Sequence, residues 1–300
     1  MAKLITEYHA GADLYSDGAV EDEMLGWFQS GANISVILAA DSRWPVLYHL
    51  SPERRNLLEW YPFRRDAHLL EVGAGCGALT GLFAEKSAKV TAVELSLRRS
   101  RIIYERHRAL ENLEVIAGNI RDLRFAKKFD YITLVGVLEY ARSLVAGESP
   151  AVRLLEICRG FLKPDGILFT AVENRFGLKY FAGARDDHTG RAFDGLEGYP
   201  AGGPAETWSR AELSALLKQA GFSAPQYFYP YPDYKLPDEI FSDAFLPETN
   251  RILRNAPNYD RVRYRIFDEK LALLNVIANN QFPFFANSFL VLAGPAERLS

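Results

Sequence analysis

A glycine-rich segment between two apolar runs constrains the fold more than any other feature of this chain. Residues 68–72 (HLLEV) are short and largely apolar, and residues 73–77 (GAGCG) place a glycine at every second position. An apolar stretch follows, and then a second β-branched run, residues 90–96 (VTAVELS), which carries Glu94. This order predicts a strand, a tight turn, a helix and a second strand that ends in a carboxylate, an arrangement suited to binding a nucleoside.

The residue types in this segment suggest how such a ligand would be held. Gly73, Gly75 and Gly77 permit positive φ angles and let a ligand approach the backbone without meeting a Cβ atom. The free N–H groups of the following helix favour a carboxylate or phosphate. Glu94 is placed to accept hydrogen bonds from both hydroxyls of a ribose. The spacing differs from the G-x-G-x-x-G pattern of dinucleotide enzymes, so an NAD-dependent oxidoreductase is disfavoured.

With these motifs in order, residues 68–172 resemble the cofactor-binding core of class I S-adenosylmethionine (SAM)-dependent methyltransferases. The resemblance implies an α/β fold with a doubly wound, mostly parallel, seven-stranded sheet. It also implies SAM as cofactor and S-adenosylhomocysteine as product, with Asn119 at the adenine amino group and Ile120 over its ring. The cofactor contacts that it implies are Glu71, Gly73, Ala74, Gly75, Gly77, Glu94, Leu95, Asn119, Ile120 and Gly136.

Segments outside this core bear on the methyl acceptor. Residues 173–200 and 229–237 (YPYPDYKLP) are similar to bacterial methyltransferases encoded or fused with glycosyltransferases of surface-polysaccharide assembly, which implies a saccharide or natural-product acceptor. A ribosomal peptide, methylated at a carboxylate or amide, is an alternative, as is a silent SAM-binding scaffold for a partner enzyme. The glycine loop also resembles that of ribosomal RNA adenine dimethyltransferases. Residues 135–140 (VGVLEY) lack the N-x-P-Y type motif that grips a flipped base, which disfavours base methylation.

The composition limits the class of protein further. The 300 residues carry a net charge of −3, and this lack of basic excess argues against a nucleic-acid partner. The two cysteines, Cys76 and Cys158, form neither a metal-type spacing nor a disulfide framework, which favours a reducing, cytoplasmic location and predicts no metal site. No run approaches the ~18 apolar residues of a membrane helix, so no membrane span is expected.

The pattern along the chain predicts four segments. They are a helical extension or lid (1–66), the SAM-binding core (67–229), an insertion (230–286) and the last core strand with a tail (287–300). The insertion is open to three interpretations: a substrate wall, a homodimer contact or simple packing. The pattern predicts strands at 68–72, 89–94, 113–117, 129–134, 167–172, 225–229 and 288–293, helices at 17–29, 78–86, 98–109, 151–162, 209–220 and 271–278, and a turn at 163–166.

The catalytic residues depend on the acceptor, because a hydroxyl requires a general base whereas a carboxylate does not. His188 is the first choice as base, since Asp186 and Asp187 beside it could orient the ring. Glu173 and Glu139 follow predicted strands and are the other catalytic candidates. The predicted acceptor-binding residues are Tyr48, His49, Tyr140, Asn174 and Tyr180.

Overall fold

The computed structural model describes residues 1–11, 16–250 and 263–299. The described strands are β1 (Lys3–Ile5), β2 (His68–Val72), β3 (Lys89–Glu94), β4 (Leu113–Ala117), β5 (Phe129–Val135), β6 (Leu162–Glu173), β7 (Gln226–Tyr231), β8 (Glu239–Ser242) and β9 (Ser288–Ala293). The described helices are α1 (Val20–Ser30), α2 (Ile34–Ala40), α3 (Trp44–Leu50), α4 (Thr80–Lys86), α5 (Leu97–His107), α6 (Ala141–Leu144), α7 (Pro150–Phe161), α8 (Leu178–Phe181), α9 (Arg210–Gln219), α10 (Glu269–Ala278), α11 (Phe282–Phe285) and α12 (Ala296–Leu299).

The chain forms two compact units whose boundaries differ from those of the four predicted segments. The first unit contains residues Met1–Val135 and Gly160–Leu168, and the second contains Gly136–Arg159 and Phe169–Ser300. Strand β6 therefore begins in the first unit and ends in the second. Within the described residues, no helix combines the length and the apolar character needed to cross a bilayer.

The first unit contains a parallel sheet with the strand order β1-β4-β3-β2-β5. Central strand β2 pairs with β3 from His68 opposite Lys89, and with β5 from Leu69 opposite Tyr131. The inner strands are almost wholly buried, as expected where helices cover both faces of a parallel sheet. The predicted α/β fold with a mostly parallel sheet is confirmed, and β2, β3 and β4 have the predicted bounds.

The number of strands differs from the prediction of seven, because the described residues form nine. The first addition is β1, which pairs in parallel with β4 although the sequence placed residues 1–66 outside the core. Three residues are too few to show the period-2 pattern that reveals a strand. The second is β8, which pairs with β7 inside the predicted insertion.

In the second unit, β7 pairs antiparallel with both β8 and β9. Strand β9 has the predicted bounds and pairs antiparallel with β7, Gln226 lying opposite Leu292. The pattern of residues 288–293 also suggests an antiparallel strand at the edge of the sheet, and the edge position is wrong: the order is β9-β7-β8, so β8 lies beyond β7. Residues 251–262 of the predicted insertion lie outside the described residues.

The predicted turn at residues 163–166 is also wrong, because β6 already begins at Leu162. The sequence KPDG is a common turn signal, but here it lies in extended backbone. A Cβ atom on Gly166 would lie 3.0 Å from the carbonyl oxygen of Phe129. This glycine therefore allows β6 to approach the first residue of β5 closely.

The helix predicted at residues 17–29 is present as α1, which begins at Val20, so Asp17 is not its N-cap residue. Ala19 occupies the N-cap position, and the Asp17 carboxylate binds His49 and Arg99 instead. Helices α1, α3 and α5 share an apolar cluster with the glycine loop. Its buried members are Val20, Met24, Val46, Leu50, Cys76 and Ile102. Cys76 is thus a packing residue.

Candidate functional site

The glycine loop after β2 is fixed to the end of β3 by Glu94. Gly73, Gly75 and Gly77 have φ angles of 70°, 58° and 78°, in the left-handed region that favours glycine. The Gly75 N–H donates to Glu94 Oε2 at 2.8 Å, and the Ser96 N–H donates to Glu94 Oε1 at 3.0 Å. The predicted ribose ligand therefore lies against the predicted loop, with each oxygen already accepting one backbone hydrogen bond.

The three glycines do not have the same surroundings. A Cβ atom on Gly75 would lie 3.7 Å from His49 Cε1, an ordinary contact distance, so the His49 ring lies over the backbone there. A Cβ atom on Gly77 would lie 3.2 Å from the His107 ring, whose Nε2 is 2.9 Å from the Gly77 carbonyl oxygen. Gly77 therefore serves the packing of α5, whereas the half-buried Gly73 and Gly75 can face a ligand. The loop and Glu94 together fit a nucleoside with a polar tail.

Glu71 differs from Glu94 in its electrostatics, although both are buried. The Thr80 hydroxyl donates to Glu71 Oε2 at 2.6 Å. Burial raises the pKa of Glu71 to about 8, so this carboxyl is largely neutral at pH 7. Burial also raises the pKa of Glu94, but the charge of Arg99 and the backbone N–H groups of Gly75 and Ser96 oppose that effect. We name the glycine loop and Glu94 the cofactor cradle. Of the two buried carboxyl groups there, Glu71 is largely neutral, whereas Glu94 accepts two backbone hydrogen bonds.

The other predicted cofactor residues have mixed positions. The Asn119 side chain accepts a hydrogen bond from the Arg121 N–H at 3.1 Å and caps a short 3-10 turn that begins at Ile120. Ile120 is buried, whereas Leu95 is partly exposed. Ala74 is also buried, and Gly136 has a φ of 70°. The adenine contacts of these residues remain predictions.

His49 lies in the first unit, against the glycine loop. Its Nε2 is 2.8 Å from Asp17 Oδ2, and Arg99 donates to the same oxygen at 2.6 Å. Arg106 donates to the carbonyl oxygens of His49 at 2.8 Å and Cys76 at 3.1 Å, which ties α3 to the loop. Burial lowers the pKa of His49 and favours the neutral ring. The helical extension therefore covers part of the cradle.

Tyr48, the neighbouring acceptor candidate, is partly exposed at the same helix. Its ring lies 4.4 Å from the Arg54 guanidinium carbon and 5.3 Å from the Trp44 ring, centroid to centroid. These contacts explain its orientation by packing. The predicted acceptor contact of Tyr48 stays a prediction.

In the second unit, Glu139, Glu173 and His188 come together, and we name them the Glu–His cluster. One ligand atom from each lies within 4.8 Å of the other two. His188 Nε2 is 3.4 Å from Glu173 Oε2, and His188 Nδ1 is 2.9 Å from the Tyr140 hydroxyl. The three predicted catalytic residues, which are spread over 49 positions of sequence, are thus neighbours in space.

Within the described part of the chain, three atoms of this cluster are buried and have no hydrogen-bond partner. They are Glu139 Oε2, Glu173 Oε2 and His188 Nε2. Glu139 is 2% exposed and Glu173 is 0% exposed, so bulk water does not satisfy them. The Glu173–His188 pair is within ion-pair distance but lacks hydrogen-bond geometry. An unpaired buried acceptor is costly, which makes this cluster a place where a ligand would gain binding energy.

Two lysines that the sequence did not single out lie beside this cluster. Lys235 donates to Glu173 Oε1 and, at 3.1 Å, to Asp187 Oδ1. Lys179 Nζ is 3.0 Å from Asp187 and 2.7 Å from Asp233. The segment YPYPDYKLP supplies Lys235 and Asp233, but its composition alone did not indicate a pairing with Glu173.

The charges in this cluster perturb one another. Burial and the Glu173 charge raise the pKa of Glu139 to about 8. Burial alone would raise the pKa of Glu173, but Lys235 and His188 hold it below its usual range. Burial opposes a charge on His188, yet Glu173 raises the pKa of the imidazole to about 9. A general base must be unprotonated, so this pKa does not favour His188 as the base at neutral pH.

The aspartates beside His188 do not orient its ring, contrary to expectation. Asp186 Oδ1 accepts hydrogen bonds from the backbone N–H groups of His188 at 3.0 Å and Thr189 at 2.8 Å. Asp187 pairs with the two lysines. Tyr140 and Glu173 contact the imidazole instead, and the catalytic role of His188 stays a prediction.

Two of the predicted acceptor contacts have structural partners. Asn174 is 1% exposed, and its amide donates at 2.7 Å to the carbonyl oxygens of both Phe284 and Ala286. Its Oδ1 accepts the Phe176 N–H at 3.1 Å. The Tyr180 hydroxyl donates to Asp187 Oδ2 at 2.5 Å. Because these polar atoms are already used, Asn174 and Tyr180 stabilise the loop after β6 rather than present free groups to an acceptor.

Comparison with known proteins bears on the part of the chain that runs from β2 into β6. A family model described as a methyltransferase domain matches residues 70–168, the stretch from β2 into β6. Residues 70–168 are therefore similar to a methyltransferase domain. This match supports the predicted enzyme class and, with it, the predicted cofactor SAM. The match covers about a third of the 300 residues.

Curated relatives of the methyltransferase domain act on different acceptors. The chain is 29% identical over 96 residues to the ribosomal RNA small subunit methyltransferase A of Syntrophus aciditrophicus, covering 32% of each chain. It is 29% identical over 116 residues to the ubiquinone biosynthesis O-methyltransferase of Haemophilus ducreyi, covering 36% of this chain and 45% of that one. The chain thus spans between a third and a half of these relatives, which leaves the acceptor open.

A solved structure supports the fold over most of the chain. Phosphoethanolamine N-methyltransferase 1 of Haemonchus contortus, in complex with phosphoethanolamine and S-adenosylhomocysteine, superposes with a TM-score of 0.50 at 13% identity. The superposition covers 94% of this chain and 50% of that one. It confirms the α/β fold of the methyltransferase domain.

Proposed function

We propose that this protein transfers the methyl group of SAM to a hydroxyl or amino group of a polar small molecule, a saccharide or a hydroxylated natural product. The observation that carries the acceptor class is the Glu–His cluster. The unpaired oxygen of Glu173 belongs to an ionised carboxylate and can accept a hydrogen bond, which a hydroxyl or amine donates and an ionised carboxylate cannot. A carboxylate acceptor, as in one alternative for a ribosomal peptide, would meet like charge at Glu173.

The cofactor is assigned to the first unit. When bound, SAM supplies an electrophilic methyl group on a sulfonium. Gly73 and Gly75 leave room for its polar tail at the loop, and Glu94 has one remaining lone-pair direction on each oxygen for the ribose hydroxyls. His49 covers the Gly75 backbone and limits the access of water.

The acceptor is assigned to the Glu–His cluster. Glu139 follows the end of β5, and Glu173 is the last residue of β6. In α/β sheets, ligands bind beyond the carboxyl ends of the strands, which is where these residues stand in the chain. The cluster positions the oxygen or nitrogen that receives the methyl group, and Glu173, its ionised carboxylate, receives the proton which that atom releases. Much of the rate gain in such a displacement comes from positioning.

The test measures formation of S-adenosylhomocysteine by the full chain, supplied with SAM and fractionated small-molecule extracts or defined sugars, amines and carboxylic acids. We expect turnover with a hydroxyl or amine and none with the carboxylic acids. Glu173→Gln should lower turnover at least tenfold while leaving S-adenosylhomocysteine affinity unchanged. Glu206→Gln is the matched control, because Glu206 pairs with surface Arg142. Turnover with a carboxylic acid would refute the acceptor class, and binding of SAM without turnover in any fraction would favour the scaffold alternative.

A further inference from the structure

The Glu–His cluster has the composition and geometry of a metal-ligand set. We propose that Glu139, Glu173 and His188 form a three-ligand site for a divalent transition-metal ion. One ligand atom from each residue lies within 4.8 Å of the other two, so small side-chain rotations bring all three onto one cation. Two carboxylate oxygens and one imidazole nitrogen are donors that Mn²⁺, Fe²⁺ and Zn²⁺ accept, whereas Mg²⁺ and Ca²⁺ prefer oxygen alone.

The unpaired atoms are the independent observation that indicates a ligand. Glu139 Oε2, Glu173 Oε2 and His188 Nε2 are all buried, and within the described ranges none has a hydrogen-bond partner. The other oxygen of Glu173 is already used, because Tyr234 donates to Oε1 at 3.3 Å and Lys235 donates to it as well. Each ligand residue therefore keeps one lone pair for the same small volume.

The charges around this site are consistent with a divalent ion. Asp187 and Asp233 contact Lys179, and both also lie within 4.0 Å of Lys235, so these two acids and two ammonium groups balance. The remaining buried groups are the two carboxyls of Glu139 and Glu173 and the His188 ring, whose proton offsets the Glu173 charge at 3.4 Å. A cation of charge +2 that displaces the ring proton would compensate both carboxylates, since metal binding to such ligands releases protons.

Tyr140 completes the arrangement as a positioning residue. Its hydroxyl lies 2.9 Å from His188 Nδ1, and the ring contact is edge-on at 5.2 Å between centroids. With a cation bound, the ring would keep one proton, on Nδ1, and donate it to this hydroxyl, so that the Nε2 lone pair would face the cation. Metal-binding histidines usually make such a second hydrogen bond, which fixes the ring and its tautomer.

Three protein ligands leave coordination positions open. An acceptor hydroxyl bound there would be polarised and would lose its proton more readily. This role in methyl transfer rests on the proposed function, whereas the metal site itself does not depend on SAM binding.

The test uses the full chain, treated with EDTA, dialysed and titrated with Mn²⁺ while free Mn²⁺ is followed by electron paramagnetic resonance. We expect one Mn²⁺ per chain, with affinity at least tenfold weaker in Glu139→Gln and His188→Gln, and about tenfold weaker in Tyr140→Phe. Glu206→Gln should bind Mn²⁺ as the wild type does. An excess of Mg²⁺ should not displace it.

Binding of S-adenosylhomocysteine by each variant shows that it is folded. The wild-type titration tests the proposal even where a variant fails to fold: absence of stoichiometric Mn²⁺ binding overturns it. Equal Mn²⁺ binding by all variants also overturns it. If the wild type binds Mn²⁺ at this site but shows no methyl transfer, the metal site stands and the proposed function fails.

Discussion

The exchange of Glu94 for glutamine tests the cofactor cradle most directly. The carboxylate accepts one N–H from Gly75 and one from Ser96, and its remaining lone pairs are assigned to the ribose hydroxyls. In Glu94→Gln the side chain keeps its shape but loses its charge and one acceptor oxygen. Its amide NH₂ must then face either a backbone N–H or a ribose hydroxyl.

The expected magnitude follows from these bonds. Hydrogen bonds to charged groups contribute about 1.5–3 kcal/mol each. Glutamine retains one acceptor, so we expect a net loss of about 1.5–3 kcal/mol, which corresponds to roughly a 10- to 150-fold weaker Kd. Isothermal titration calorimetry with S-adenosylhomocysteine measures this without turnover.

Glu71→Gln is the matched control at the same cradle. Because burial raises the pKa of Glu71 to about 8, its side chain is already neutral at pH 7, and glutamine resembles the protonated acid. The Thr80 hydroxyl can still donate to the amide oxygen. We expect Glu71→Gln to change the Kd less than threefold. Equal affinities of Glu94→Gln and wild type would refute the assignment of Glu94 to the ribose.

Three further predictions concern stability and reactivity. The pKa of Glu71 is about 8 in the folded chain and 4.5 in model compounds. As the pH rises from 5 to 8, the unfolded wild type loses this proton whereas the folded state keeps it, so the free energy of unfolding of Glu71→Gln should rise relative to that of wild type by up to ~1.4 kcal/mol per pH unit. Urea unfolding measures this difference, and a constant difference would contradict the prediction. Arg99→Met breaks buried ion pairs with Glu21 at 2.7 Å and Asp17 at 2.6 Å and should lower the free energy of unfolding by about 3 kcal/mol. Arg43→Met, which breaks an exposed pair with Glu23, should lower it by less than about 1 kcal/mol, and similar losses in the two variants would refute the argument. Burial raises the pKa of Cys76 and of Cys158 to about 12, so neither thiol should react with iodoacetamide at pH 8 before unfolding, and rapid labelling of the native chain would show that the thiols are accessible.

The sequence predicted the core of the first unit well because its signals are local. Strands β2, β3 and β4 are continuous apolar or β-branched runs, and a buried parallel strand needs little more to be recognised. The glycine loop and Glu94 follow from the same short stretch. The turn predicted at residues 163–166 failed because a close approach to Phe129, and not a chain reversal, requires Gly166.

The contacts around both candidate sites were harder to predict because they join distant parts of the chain. Asp17 reaches His49 across 32 positions, and Lys235 reaches Glu173 across 62. A single sequence indicates which residues are chemically suited to a site, and the three that it proposed, Glu139, Glu173 and His188, lie close together. It does not show which charges will be paired, and that pairing determines what remains free to bind.

The buried charges around Glu21 and those of the Glu–His cluster differ in how fully they are paired, and this difference supports a ligand at the Glu–His cluster. In the first unit, Glu21 accepts hydrogen bonds from Arg99, Ser16 and the Asp17 N–H, so its charge is compensated within the fold. In the second unit, three atoms of the Glu–His cluster stay buried without a partner among the described residues. An unsatisfied buried polar group costs about 1–3 kcal/mol, and the Glu173–His188 ion pair at 3.4 Å offsets part of that cost for two of the three atoms. Packing alone would not select such an arrangement, since apolar residues of similar size would be more stable there. A bound cation or acceptor satisfies all three atoms at once, and we therefore expect its removal to lower the stability of the second unit.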